Sequence, residues 1–302
     1  MPHAGLERVP TAGQTVCPWP EGKQHGRKFL QVYGGAISHT GKMAHGEVCV
    51  WAEYEAPTHA RPVDARGHGP RFVQTPLISV SHPEVDTDPW IFHPGFVWSL
   101  RQHQSEWQQA PQPQNVQPQA GDIVLFGSPL PGARDSLDWV LDTVLVVKRR
   151  LSSNAAGSLK NHYGKLVEPA LRGQAQLPFV GQPQGGAARF SFAPCKVGDG
   201  SSAHFERPSV NELFRELRVH GTGRAPTAAQ ARTLTPCRPS AGMEQFWKRL
   251  TELIWSEGLA LGADFDLPAI RVLGPAALPP AALPTSTRQP KSSARRKRAR
   301  AA

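Results

Sequence analysis

An aspartate stands in the middle of an apolar run, Trp139-Val-Leu-Asp142-Thr-Val-Leu-Val-Val147, and no other feature constrains the fold of this chain as much. This run, and Gly121-Asp-Ile-Val-Leu-Phe-Gly-Ser128 upstream of it, are short, β-branched and bounded by glycine, proline or charge. Such runs predict strands, and strands apolar on both sides are covered on both sides. Asp142 is therefore predicted to be buried. A carboxylate taken out of water is strongly disfavoured unless it is paired or hydrogen-bonded, so the fold has to supply a partner for it.

The rest of the chain is read around that requirement. With 30 prolines and 28 glycines among 302 residues, it is rich in turns and poor in long helices. Residues 1–26 lack periodicity and are read as an irregular N-terminal arm, either loose or draped over the core. Arg27 to Tyr33 alternates as a strand. Gly46 to Glu55 alternates most clearly: Val48, Val50, Ala52 and Tyr54 face a core, and Glu47, Cys49, Trp51, Glu53 and Glu55 face the other way. Phe72 to Val80 is read as another strand, which Pro76 confines to an edge or a bulge. Arg189 to Ala193 is another short strand, and Asn211 to Arg218 a short helix. From Met243 to Glu257 one apolar face recurs at helical spacing, with Ser240 near its start and Gly258 as its stop. Beyond Gly274 the composition is Ala/Pro and then basic, which predicts disorder.

These elements predict an α+β fold: a curved, mostly antiparallel sheet or partly open barrel with few helices, in a single domain over residues 27–274, followed by a disordered basic tail at 275–302. No GxGxxG or GxxxxGK[ST] loop is present, which argues against dinucleotide redox chemistry and P-loop hydrolysis. The four cysteines show no CxxC spacing, and the histidines no metal-ligand spacing. The first thirty residues hold no continuous apolar stretch, and no segment has the roughly 20 apolar residues of a membrane span. A cytoplasmic protein is expected, and the abundance of Ala, Arg, Pro and Gly points to a GC-rich bacterial source.

Four constellations bear on chemistry. Glu53 and Glu55 lie two apart on a strand beside Trp51, a ring able to stack a planar or cationic ligand. Asp86 and Asp88 precede an aromatic segment holding Trp90, Phe92, His93, Phe96 and Trp98, with Arg101 and Gln102 following; aromatic walls with a few polar groups suit a nucleotide base. Ser128 follows Gly127 without a GxSxG setting, so serine hydrolase chemistry is disfavoured. Finally, the net charge of +10 is concentrated at one end: Arg288, Lys291, Arg295, Arg296, Lys297, Arg298 and Arg300 supply seven of the ten. Clusters of this kind bind phosphate backbones without reading sequence.

The order Glu53-Tyr-Glu, Thr87-Asp-Pro, Phe126-Gly-Ser and Leu141-Asp-Thr-Val resembles an uncharacterised bacterial family, over approximately residues 27 to 215. The Gly121-Asp-Ile-Val-Leu-Phe run is also similar to the strand entering the small barrel of PUA and ASCH-type domains. That similarity implies binding of RNA or modified bases, although the ASCH glycine-lysine-arginine signature is missing.

The leading expectation is thus a nucleotide- or nucleic-acid-binding domain. In it, Trp51 and Trp90 stack the ligand, Glu53, Glu55 and Asp88 bond its edges with His93, Arg101 and Gln102 nearby, Asp142 braces the site, and the basic tail adds affinity. The alternative is a phosphodiester hydrolase in which Glu53, Glu55, Asp86 and Asp142 gather Mg²⁺ or Mn²⁺. A third reading is a protein-interaction module whose acids are structural. No cofactor is evident, and the oligomeric state is left open.

Overall fold

In a computed structural model, residues 7–17, 27–64, 69–77, 89–92, 94–99, 118–131, 137–150, 178–185, 187–200, 205–216 and 242–268 are described. Two long strands organise them. Strand β2 (Arg27–Ile37) and strand β3 (Met43–Glu53) form an antiparallel hairpin in register over their whole length, from Arg27↔Glu53 to Ile37↔Met43. The preceding strand, β1 (Val16–Cys17), pairs with β4 (Thr58–Pro62), which pairs with β5 (Phe72–Pro76). Residues 7–17 of the N-terminal segment are therefore laid against the sheet: Glu7 bridges to Arg27, and the Arg8 amide donates to the Arg27 carbonyl at 2.8 Å.

Strand β2 serves two neighbours on its second edge. Near its start it meets β5 in parallel at Leu30↔Gln74; near its end it pairs with β11 (Ala260–Phe265) through Gly34 to Ile37. Strand β10 (Ala193–Val197) lies antiparallel to both β11 and β3. The path β2–β3–β10–β11 consequently closes on itself, while β5, β4 and β1 diverge from it as an open flap. The closing register is crowded. A Cβ on Gly34 would stand 2.7 Å from the Phe265 ring, and one on Gly262 2.6 Å from it, so only glycine lets that ring lie across the junction.

The second sheet has the order β6 (Val97–Ser99), β9 (Pro178–Gly181), β8 (Leu137–Arg150) and β7 (Ile123–Pro131). Its spine is β8, the apolar run that contains Asp142. It is covered on both sides as expected: Leu145 and Val147 enter one core with Leu30, Val48 and Val50, whereas Val144 and Val146 enter a second with Phe29, Trp51 and Phe192. Reciprocal backbone bonds between Val144 and Phe192, at 2.8 and 2.9 Å, tie β8 to the residue before β10. The fold is thus sheet-rich and mostly antiparallel, with an incompletely barrel-like ring.

Two helices occur among the described residues, α1 (Asn211–Glu216) and α2 (Met243–Ser256). The apolar stripe of α2 buries Phe246, Trp247, Leu250 and Ile254 in the second core. It ends in a Schellman motif: the Gly258 amide bonds the Trp255 carbonyl, the Leu259 amide bonds that of Ile254, and Gly258 takes φ +72°. Residue 242, a glycine, precedes it with no side-chain cap, and Ser240 lies outside the described residues. Strands β1, β4, β6, β9 and β11 were not anticipated, being two to six residues long and without clear alternation, and the strand expected over Arg189 to Ala193 lies instead at Ala193–Val197, running through Pro194. None of the described helices is long and apolar enough to cross a membrane.

The tightest backbone crossing lies at Gly181, where a Cβ would collide with the Gly95 carbonyl and with Ser191 Oγ. Because the first obstacle is backbone, Gly181→Ala is expected to destabilise by about 3 kcal/mol or more, at the severe end of overpacking, with a lowered urea midpoint as the readout.

Candidate functional site

The partner required by Asp142 is a pair of arginines. Arg27 opens β2 directly opposite Glu53, the last residue of β3, so both side chains stand on the face of the hairpin covered by β8. There the Arg27 guanidinium donates from Nη1 to Glu53 Oε2 and brings Nε to 2.7 Å from Asp142 Oδ2. The second contact is a charge contact whose N–H is not aligned for a hydrogen bond. Arg207, in the segment before α1, donates from Nη1 to Ser128 Oγ at 2.9 Å and to Asp142 Oδ1 at 3.4 Å. Its guanidinium also lies 4.8 Å from the centre of the Trp51 ring.

Two cations and two anions are therefore gathered in one interior cluster, with Arg27 4 %, Glu53 8 %, Asp142 3 % and Arg207 8 % exposed. These values decide what the cluster does. Buried charges of this kind are tolerable because each faces an opposite charge, and breaking one pair strands the other member in a medium that cannot solvate it. The backbone holds Arg207 in place: the Leu141 amide bonds the Pro208 carbonyl at 2.9 Å, the Val210 amide bonds the Trp139 carbonyl at 2.8 Å, and Asn211 Oδ1 accepts from the Trp139 amide at 3.0 Å.

The predicted site residues separate on this geometry. Glu53 and Asp142 are brought together, through Arg27 and not through a shared opening. Trp51, read as a stacking wall, is 2 % exposed, with Phe29 at 5.4 Å and Arg207 over its ring. Its strand face was expected to meet solvent or ligand, but β8 and α2 cover it. Glu55 is half-buried past the end of β3. Trp90 is buried with Phe92, Phe96 and Trp98 in the first core. Asp86, Asp88, His93, Arg101, Gln102 and the tail residues Arg295, Arg296, Lys297, Arg298 and Arg300 lie outside the described residues. Among the described residues no three His, Cys, Asp or Glu side chains converge as metal ligands, and the carboxylates of Glu53 and Asp142 each face an arginine.

Sequence reasoning missed Arg27 and Arg207 as the counter-charges. Arg27 had a signal: pairing Gly34 with Gly46 in the hairpin sets Arg27 opposite Glu53. Arg207, in an irregular segment, had none.

A second polar anomaly is Lys28, fully buried, with Nζ donating to the Ala56 carbonyl at 2.7 Å and lying 5.6 Å from the centre of the Tyr54 ring. Burial lowers its pKa from 10.5 to about 8. The free thiols Cys17, Cys49 and Cys195 are also buried; burial pushes that of Cys49 up to about 12, which keeps it protonated and unreactive. Comparison of the chain with protein-family models, with curated proteins and with solved structures returned no match.

Two outcomes are expected. Asp142→Ala loses about 3–5 kcal/mol in chemical denaturation, whereas the joint replacement Asp142→Leu with Arg207→Met costs less than the sum of its parts, because neither charge is then left alone. For Lys28, the unfolded chain holds the proton between pH 8 and 10.5 and the folded chain does not. Stability therefore rises with pH across that window by about 3 kcal/mol from this group, and Lys28→Met should be more stable than the parent at pH 7 and remove the rise.

Proposed function

We propose that this chain is a cytoplasmic, bacterial α+β protein that binds nucleic acid without catalysis, through its basic exterior. Its interior acids serve the fold. The observation that carries this reading is the division of charge: the carboxylates nearest to a catalytic arrangement are neutralised inside by Arg27 and Arg207, while a run of cations, Lys148 to Arg150, is exposed.

On the described surface that charge is clearest where β8 emerges from the second sheet. Lys148, Arg149 and Arg150 are all exposed, and β9 pairs alongside them through Arg149↔Val180 and Arg150↔Phe179. The guanidinium of Arg189 approaches the same corner, 3.7 Å from the Cβ position of Gly121, whose amide bonds the Val147 carbonyl. The C-terminal sequence carries seven further positive charges. Cationic side chains that neutralise phosphates release condensed counterions, which gives affinity for a polyanion with little sequence preference. Buried free thiols support the reducing compartment.

The test is fluorescence anisotropy with labelled single-stranded DNA and RNA across a salt series. The full chain is expected to bind with an affinity that falls steeply as salt rises. Lys148→Ala with Arg149→Ala should reduce the slope of log K against log salt by about one per charge removed. Neutralising Arg295, Arg296, Lys297, Arg298 and Arg300 should reduce it further. Absence of binding to either polymer at 50 mM salt would overturn the proposal.

A further inference from the structure

One face of the β2–β3 hairpin changes character along its length. Phe29 and Trp51, directly opposite each other, are buried on it. Four residues along each strand, and so on the same side, Tyr33 and Glu47 form another directly opposed pair, and both are exposed, Tyr33 to 52 %. Strand β11 supplies the neighbour on the other flank of Tyr33. Phe265 pairs with Gly34, and the Asp266 amide donates to the Tyr33 carbonyl at 2.8 Å. Because Phe265 turns into the first core, the next residue, Asp266, takes the opposite side, the side of Tyr33, and it is exposed too.

Glu47, Tyr33 and Asp266 therefore stand in a row across three adjacent chain segments, an aromatic ring between two carboxylates, at the roughly 5 Å spacing of opposed positions. The next position on that face of β2 is Gly35, which has no side chain to shield the ring. Lys196 stands opposite Cys49, a step further along the face. Among the described residues neither Glu47 nor Asp266 has an ion-pair partner. Such a row repels phosphate and suits a guanidinium, which stacks flat on a tyrosine ring while its edge donates to a carboxylate.

We infer that this face is the docking surface for the chain's own arginine-rich C-terminal segment, Arg295 to Arg300, with one of its arginines stacked on Tyr33 between Glu47 and Asp266. Charge and chain length argue for that occupant. No acidic residue follows Asp266 in the sequence, so the segment has no carboxylate of its own to pair with. The described chain ends at residue 268, beside the row itself, and Arg295 lies 28 residues beyond Leu267. At about 3.3 Å or more per extended residue, that is ample chain to turn back onto the face. The inference does not rest on nucleic-acid binding.

Zero-length carbodiimide cross-linking of the full chain tests this, since it joins a carboxylate to a lysine amine only where the two touch. An equal mixture of ¹⁴N and ¹⁵N protein lets mass spectrometry separate links within a chain from links between chains. At low salt, Lys297 or Lys291 should be joined to Glu47 or Asp266 of the same chain, and about 0.5 M salt should remove most of the product. Tyr33→Ala, a change at an exposed position, should lower the yield about two- to fivefold, as loss of a cation–π contact does, while Tyr33→Phe should keep it. Replacing Arg295, Arg296, Arg298 and Arg300 by glutamine should abolish it with both lysines still present. Tail links spread equally over the exposed Glu206, Glu244 and Glu257 would overturn the inference. So would links found only between chains, or a yield indifferent to Tyr33→Ala.

Discussion

The contact between Arg27 and Asp142 is where the two sheets of this protein meet electrostatically, and much else depends on it. Arg27 belongs to the ring and Asp142 to the spine of the second sheet, so their pairing fixes one sheet over the other at a definite register. Apolar packing alone does this poorly, since a flat face of valines and leucines can slide by a residue at little cost. A buried ion pair cannot slide. Moving β8 by one residue would turn Asp142 away from Arg27 and leave both charges uncompensated. Glu53 holds the other end of Arg27, and Arg207 holds the other oxygen of Asp142, which makes the cluster neutral.

The same cluster illustrates how far the chain could be read from its residues. The burial of Asp142 followed from its neighbours alone, because an acid within Val-Leu-Asp-Thr-Val-Leu has no solvated face to occupy. The inward face of β3, Val48, Val50 and Ala52, with Tyr54 just beyond its end, was legible for the same local reason. So was α2, whose stripe and terminal glycine are written into consecutive residues. What alternation could not disclose was that the opposite face of β3 is covered as well. Cys49, Trp51 and Glu53 read like the wall of an open site, and only the long-range placement of β8 and α2 encloses them. Arg207 comes from more than sixty residues beyond Asp142 in sequence, with no periodic pattern around it.

Lys28 presents a different balance. Its neighbour along β2, Arg27, turns to the face where carboxylates wait, while Lys28 turns to the aromatic side and finds a carbonyl and a ring. Two adjacent cations on one strand thus experience opposite environments, one strongly paired and the other desolvated. The first locks the architecture. The second is the kind of group whose protonation follows its surroundings, since burial, above all, brings its pKa down to about 8.

The strand that closes the ring, β11, lies more than 220 residues after the strand it joins. The β2–β3 hairpin can form as soon as it has been made, yet its free edge at Gly34 to Ile37 stays without its partner until Ala260 to Phe265 has been synthesised. A ribosome-bound chain therefore carries an open sheet edge for most of its synthesis. Pairing across such a separation pays its loop-closure entropy late and slowly, and an exposed edge invites contact with other chains in the meantime. Shortening this protein before Phe265, even by a few residues, would remove the piece that turns a sheet into a ring.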